Sequence, residues 1–360
     1  MIIFNNPKSI YDKYEQEINK NILKVLQDGR YIKSKELDNF QTNFAKFNQV
    51  KYAIGVGNAT DAIYISLKSL NIKKGDEVIT VSHTATGTAM AILNTGATPI
   101  FCDISEDDYN INLNLIESKI TTKTKAIVVV HLYGQSCNLT KLISITKKYK
   151  IPLVEDCSQA AGSKFKNKHL GSFGDFGCFS FFPTKNLSCF GDGGMIISNK
   201  SIYKNKIECL REYGWDKNRN AKYIGINSRL DEIQAAILNI KIKYLKKDNI
   251  ERREIAKYYN KNIKNEKIIK PFENKNSYHV YHLYVIRLKN RKNLIKKLVN
   301  ENIIPGIHYK KAVHQQKIFA KYKYNLPVTE KIADTVLSLP IYPGLDKKNL
   351  KKIVNIVNEI

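Results

Sequence analysis

Between residues 50 and 200 the sequence keeps returning to short, unbroken apolar runs, each followed by a stretch of helical periodicity. The runs are YAIGVGN (52–58), EVITVS (77–82), TPIFCDI (98–104), AIVVVHLYG (126–134), IPLVEDC (151–157) and CFSFF (178–182). Runs apolar at every position, not at alternate ones, belong to strands buried on both faces, and such strands need helices on each side of their sheet. Intervening segments provide them: DAIYISLKSLNI sets Ile63, Leu67 and Leu70 on one helical face, and ATGTAMAILNTG and LTKLISITKKYK follow the same periodicity. The pattern predicts an α/β fold with a mostly parallel sheet.

Beyond the long helix-like segment 231–263 the texture changes. HVYHLYVIRL (279–288) reads as an alternating strand, KNLIKKLVNENI as a helix, and a closing helix follows Pro343. A smaller α+β domain is expected over residues 250–360, packed on a large domain over 1–249, with the long helix joining them.

Charge invites a different class of partner. Lys and Arg total 59 against 33 Asp and Glu, a formal net charge of +26. The excess is scattered lysine with no arginine-rich arm, zinc-finger spacing or RNA-binding signature, so no nucleic acid partner is expected. Such a field does favour polyanionic small molecules. Six cysteines without a CxxC pair or metal spacing fit reduced thiols and no metal, and no apolar run approaches the roughly 20 residues of a membrane helix. With no signal-peptide pattern at the N-terminus, the expected location is the cytoplasm, without membrane attachment.

Three segments carry chemistry. GVGNATDA (55–62) ends a strand and opens a helix, so the backbone of Ala59 and Thr60 is placed either as a phosphate cradle or as an ordinary capped helix start. VEDCSQAAG (154–162) brings Asp156 to a strand end, as a helix cap or as a partner for a protonated ring nitrogen, with Gln159 three positions on. GCFSFFPTKNLSCFGDGG (177–194) sets Lys185 between an apolar strand and a glycine-rich turn, with Ser180 within reach of a phosphate and Phe179, Phe181 and Phe182 as apolar surroundings. Apolar surroundings disfavour the ammonium form, and a lysine must be neutral to attack a carbonyl. Taken in order, the three place Lys185 to hold pyridoxal phosphate and Asp156 to face its pyridinium nitrogen.

The chain also resembles the DegT/DnrJ/StrS family of sugar aminotransferases from about residue 10 onward. The likeness is carried by the three segments above and by KKGDEVITVSHT, GATPIFCDI, VHLYGQ, GINSRLDEIQAAI, YHLYVIR and HYKKAVHQQ. It implies an aspartate aminotransferase-like, type I pyridoxal phosphate fold and a homodimer with shared active sites. By this resemblance Lys185 is the Schiff-base lysine, Asp156 the pyridinium partner, Gln159 a contact near the phenolic oxygen, Ser180 a phosphate ligand, and Ala59 and Thr60 the phosphate turn. Asn227 would reach the phosphate of the neighbouring subunit. Many members carry an aromatic ring where Ala85 stands, so His83 becomes the candidate for stacking on the cofactor. His308, Tyr309 and His314 are candidates beside the substrate.

FFPTKNLSCFGDGG is most like enzymes that aminate C-3 of dTDP-linked 3-keto-6-deoxyhexoses, with L-glutamate as donor. Amination at C-4 of a nucleotide-linked 4-keto sugar is the alternative, because members acting there more often carry GEGG in place of residues 191–194. Dehydratases on this fold replace the lysine by histidine, which Lys185 opposes. A non-catalytic, basic regulatory or nucleic-acid-binding protein is a more distant alternative, opposed by the intact Lys185, Asp156 and Ser180 set.

Overall fold

The computed structural model describes residues 1–360. Seven strands form the central sheet: β1 (Tyr52–Val56), β2 (Glu77–Val81), β3 (Thr98–Cys102), β4 (Thr124–Val130), β5 (Leu153–Asp156), β6 (Phe176–Ser180) and β7 (Gly194–Ser198). Their order is β1-β7-β6-β5-β4-β2-β3. All neighbours run parallel except β7, which is antiparallel to both β1 and β6. The expected mostly parallel sheet is present, with GMIIS as a strand that lay outside the series of apolar runs read from the sequence.

Side-chain alternation divides the sheet into two packed faces. Helices α1 (Pro7–Asp28) and α2 (Lys35–Asn48) precede the sheet; on β4, Ala126 and Val128 join the helices α3 (Ala59–Ser69) and α4 (Thr86–Asn94), while Ile127 and Val129 face the opposite core. That opposite core also holds Phe40 and Phe44 from the helix Lys35–Asn48, and Phe179 and Phe181 edge-pack against them. Their role therefore differs from the expected one. Only Phe182 of the three phenylalanines turns toward the lysine pocket, because strand alternation sends Phe179 and Phe181 to the other side of the sheet.

A second hydrophobic core begins at Ile255, inside the 31-residue helix Glu232–Asn262, and continues through Tyr284, Leu294, Leu337 and Ile353. Its sheet is a two-stranded antiparallel pair, β8 (Tyr284–Arg287) with β9 (Val336–Leu339). The expected strand over 279–288 is thus much shorter. Tyr281 takes a left-handed φ of 45°, and the N–H groups of Val280 and His282 turn aside to the carbonyls of Gly134 and Tyr133. A segment spending its donors there cannot extend the ladder.

The N-terminus is built into the smaller unit. Ile2 and Ile3 pair in parallel with Ile303 and Ile304, and Asn5 donates from Nδ2 to the Thr184 carbonyl at 2.6 Å. No helix is long and apolar enough to cross a membrane.

Candidate active site

The carboxyl ends of parallel strands, where helices begin, gather the chemistry. A cavity of about 590 Å³ opens there, and Ala59, Thr60, Asp156, Gln159, Ser180 and Lys185 all line it. Six of the residues singled out from the sequence, scattered over more than a hundred positions, thus share one wall.

Asn58 caps α3 by accepting from the Asp61 N–H at 2.9 Å, and its carbonyl accepts from Ala62. The N–H groups of Ala59 and Thr60 precede any intrahelical partner, which leaves them for an anion. Two glycines keep this cradle open. A Cβ on Gly194 would meet the Asn58 carbonyl at 2.5 Å, and one on Gly87 would meet Thr60 Oγ1 at 2.6 Å. Ser180 Oγ accepts from the Phe182 N–H at 3.3 Å, so its own proton is free to be donated. We expect Gly194→Val to raise the dissociation constant for the cofactor about tenfold, since overpacking at a fixed backbone contact costs about 1–3 kcal/mol. Titration of the apo protein would check this.

Asp156 is held at both oxygens. Thr88 Oγ1 donates to Oδ2 at 2.8 Å, and the Ser158 N–H and Oγ donate to Oδ1 at 3.0 and 2.5 Å. Hydrogen bonds to a carboxylate contribute about 1.5–3 kcal/mol each, enough to fix the orientation of the group. Thr88 went unnoticed in the sequence. No local signal marked it: Thr88 lies in the first turn of α4 with its hydroxyl 3.1 Å from that of Thr84, just before the helix, while its carboxylate partner is 68 positions away.

Lys185 sits on the turn after β6, where its N–H bonds the Phe182 carbonyl and Asn5 anchors the preceding peptide. Burial pulls its ammonium down to about 8, opposed by the nearby Asp156 carboxylate. The direction predicts a pH dependence. An ordinary lysine near 10.5 is almost wholly protonated at pH 7.5, whereas one near 8 is neutral in roughly a quarter of molecules. Attachment of added cofactor to the apo protein should therefore accelerate as pH rises from 6 to about 8 and level off above it, in stopped-flow absorbance.

The remaining candidates fall elsewhere. His83 is 0% exposed and lies behind the wall, with Nε2 2.8 Å from Tyr133 Oη, while Ala85 lines the cavity. The expected stacking of His83 on the cofactor is therefore not what this arrangement offers. Desolvation pushes its imidazolium down to about 3, so it is neutral. His314 is buried against Ser82 Oγ at 2.7 Å and Glu330 at 3.1 Å, and does not line the cavity. His308 Nδ1 is 2.9 Å from Ser338 Oγ, and Tyr309 Oη accepts from Gln159 Nε2 at 2.9 Å. Tyr309 thus reaches the wall through Gln159. Asn227 is exposed on the segment that bridges back to Glu212, outside this chain's own cavity.

Donors for a phosphate at one end, a carboxylate for a cationic ring nitrogen on the floor and a lysine of lowered basicity fit pyridoxal phosphate. Known proteins agree with this chemistry. A dTDP-3-amino-3,6-dideoxy-alpha-D-galactopyranose transaminase of Aneurinibacillus thermoaerophilus is 42% identical over 359 residues, 99% of each chain. The crystal structure of S. venezuelae DesV in complex with a ketimine intermediate superposes with a TM-score of 0.97 at 34% identity, over 99% of this chain and 98% of that one. NtdA from Bacillus subtilis, solved with its bound cofactor PMP, gives 0.90 at 29% identity, over 96% and 82%. Likeness on this scale, together with a family match over residues 12–358, makes the chain a member of the DegT/DnrJ/EryC1/StrS aminotransferase family.

Proposed function

We propose that the protein is a pyridoxal phosphate-dependent transaminase that moves an amino group from L-glutamate to C-3 of a dTDP-linked 3-keto-6-deoxyhexose, working as a homodimer. The observation that carries the transaminase reading is the convergence of Lys185, Asp156 and the Ala59–Thr60 cradle on one cavity. The choice of C-3 and dTDP rests on 42% identity to a transaminase of that description and on the GDGG turn at 191–194. Asn227, exposed and outside its own cavity, supports a site completed by a second copy.

Bound in this cavity, pyridoxal phosphate supplies a reactive carbonyl and a ring that takes up the electron pair left at the amine-bearing carbon. Lys185 would hold the cofactor through that carbonyl carbon and give way there to the amino donor. Nζ, once free, would be placed to take a proton from the donor's amine-bearing carbon and to return it to the cofactor, serving as base and then acid. Asp156, fixed by Thr88 and Ser158, keeps a proton on the ring nitrogen. With a ketosugar the same groups act in reverse order, and Lys185 delivers the proton to the carbon that becomes C–NH2. The scattered lysines attract the sugar's diphosphate in a salt-dependent way.

The test is an absorbance titration of the loaded protein. L-glutamate should abolish the visible band of the lysine-bound cofactor, and a dTDP-linked 3-keto-6-deoxyhexose should restore it. Restoration by the 4-keto isomer alone would move the reaction to C-4. Absence of any band after cofactor addition would reopen the non-catalytic reading.

A further inference from the structure

Tyr133 is a bulky residue in a left-handed conformation, with φ 58° and ψ 1°, and it is 3% exposed. Non-glycine residues held there persist only where the surroundings demand it, and such positions gather at functional sites. Here the unusual turn lets each polar group of one residue serve a different segment. The N–H donates to Gln159 Oε1 at 2.8 Å, and the carbonyl accepts from the His282 N–H at 2.9 Å. The phenol lies 2.8 Å from His83 Nε2 and donates to the His308 carbonyl.

Proton counting gives this cluster a direction. A phenol has one proton, and a carbonyl can only accept, so the Tyr133 proton goes to His308. His83 must then carry its proton on Nε2 and donate it to Tyr133 Oη. Its other nitrogen, Nδ1, is buried without a partner. That fits, because Nδ1 is then a bare lone pair and no N–H is orphaned. Gln159 is oriented in the same manner: its oxygen is taken by the Tyr133 N–H, so its NH2 faces Tyr309 Oη, which accepts and keeps its own proton for another acceptor.

We propose that the one-way chain His83 to Tyr133 to the His308 carbonyl is a clasp that seats the His308–Tyr309 segment of the smaller unit against the cofactor cavity, making His83 and Tyr133 positioning residues for the ketosugar half of the reaction. The inference rests on the transaminase reading above. Neither residue lines the cavity, so both act through Tyr309 and its hydroxyl.

The test uses the loaded, full-length protein. Tyr133→Phe keeps the backbone donor to Gln159 and removes only the clasp, so the visible band should be retained while the KM for the ketosugar rises about tenfold, with kcat changed much less. His83→Leu should reproduce that effect, and His83→Gln, which keeps a donor near the Nε2 position, should restore a KM close to that of the parent. The double variant Tyr133→Phe/His83→Leu should be no worse than either single one, the signature of one shared pathway. A KM unchanged in Tyr133→Phe, with only a lower melting temperature, would overturn the clasp. So would a His83→Gln variant as impaired as His83→Leu. Failure of the transaminase reading itself would look different, since the parent protein would then complete neither half reaction.

Discussion

Lys185→Ala is expected to lose transaminase activity by about four orders of magnitude or more, because in the proposed mechanism one side chain both anchors the cofactor and moves the proton. The fold should survive, since the lysine lies half-buried on a turn and makes no hydrogen bond through Nζ to any other protein group. Removing a desolvated ammonium carries no electrostatic stability penalty at neutral pH: its lowered value means that protonation below about 8 opposes the folded state. The measurement is a pair of single-turnover assays with a melting curve. Each half reaction should be lost separately while the melting temperature is kept or rises slightly.

Asp156→Asn should cost about a hundred- to a thousandfold in kcat, the range seen when one preorganised electrostatic group is removed from a reacting centre. The amide has the same shape, but it replaces one of the two acceptor oxygens with a donor. With its oxygen kept on Ser158, the new NH2 can donate to Thr88 Oγ1, whose proton can turn to Thr84, so what is removed is the negative charge facing the ring nitrogen. Cofactor should still bind through the Ala59–Thr60 cradle, so retained binding with collapsed turnover is the expected pair of results. Equal losses in both would mean that Asp156 serves as a structural cap. Thr88→Val should show the same pattern more weakly.

Much of this site was legible because its parts sit where local rules apply. A strand end, a helix start and a glycine-rich turn are sequence-local features, and each fixes a backbone direction within a few residues. Asp156, Ser180 and Lys185 could be read in that way. Thr88 could not, since its partner is 68 positions away and the pairing depends on α4 lying beside the end of β5. The antiparallel insertion of β7 between β1 and β6 was hidden for the same reason: strand order is set by long-range pairing. Phe179 and Phe181 show the opposite error, in which nearness along the chain suggested nearness in space and the two-residue period of a strand denied it. His83 was assigned to the cofactor by analogy with a missing ring at Ala85, yet the structure brings the small side chain, not the histidine, to the cavity.

The pairing of residues 2–3 with 303–304, and the bond from Asn5 to the peptide before Lys185, also set a schedule for the chain as it is made. Residues 2–5 leave the ribosome roughly three hundred residues before the strand that receives them. A chain elongated only to residue 250 already contains every residue that lines the cavity, and Ile10 and Ile18 of the helix after Asn5 can already pack on Ile237 and Ile240, but residues 2–3 still lack their strand partner. The segment that carries Asn5 is pinned on its other side only when residues 303–304 have been synthesised and packed. A fusion placed directly before residue 2 is therefore expected to disturb the lysine turn from a distant part of the sequence.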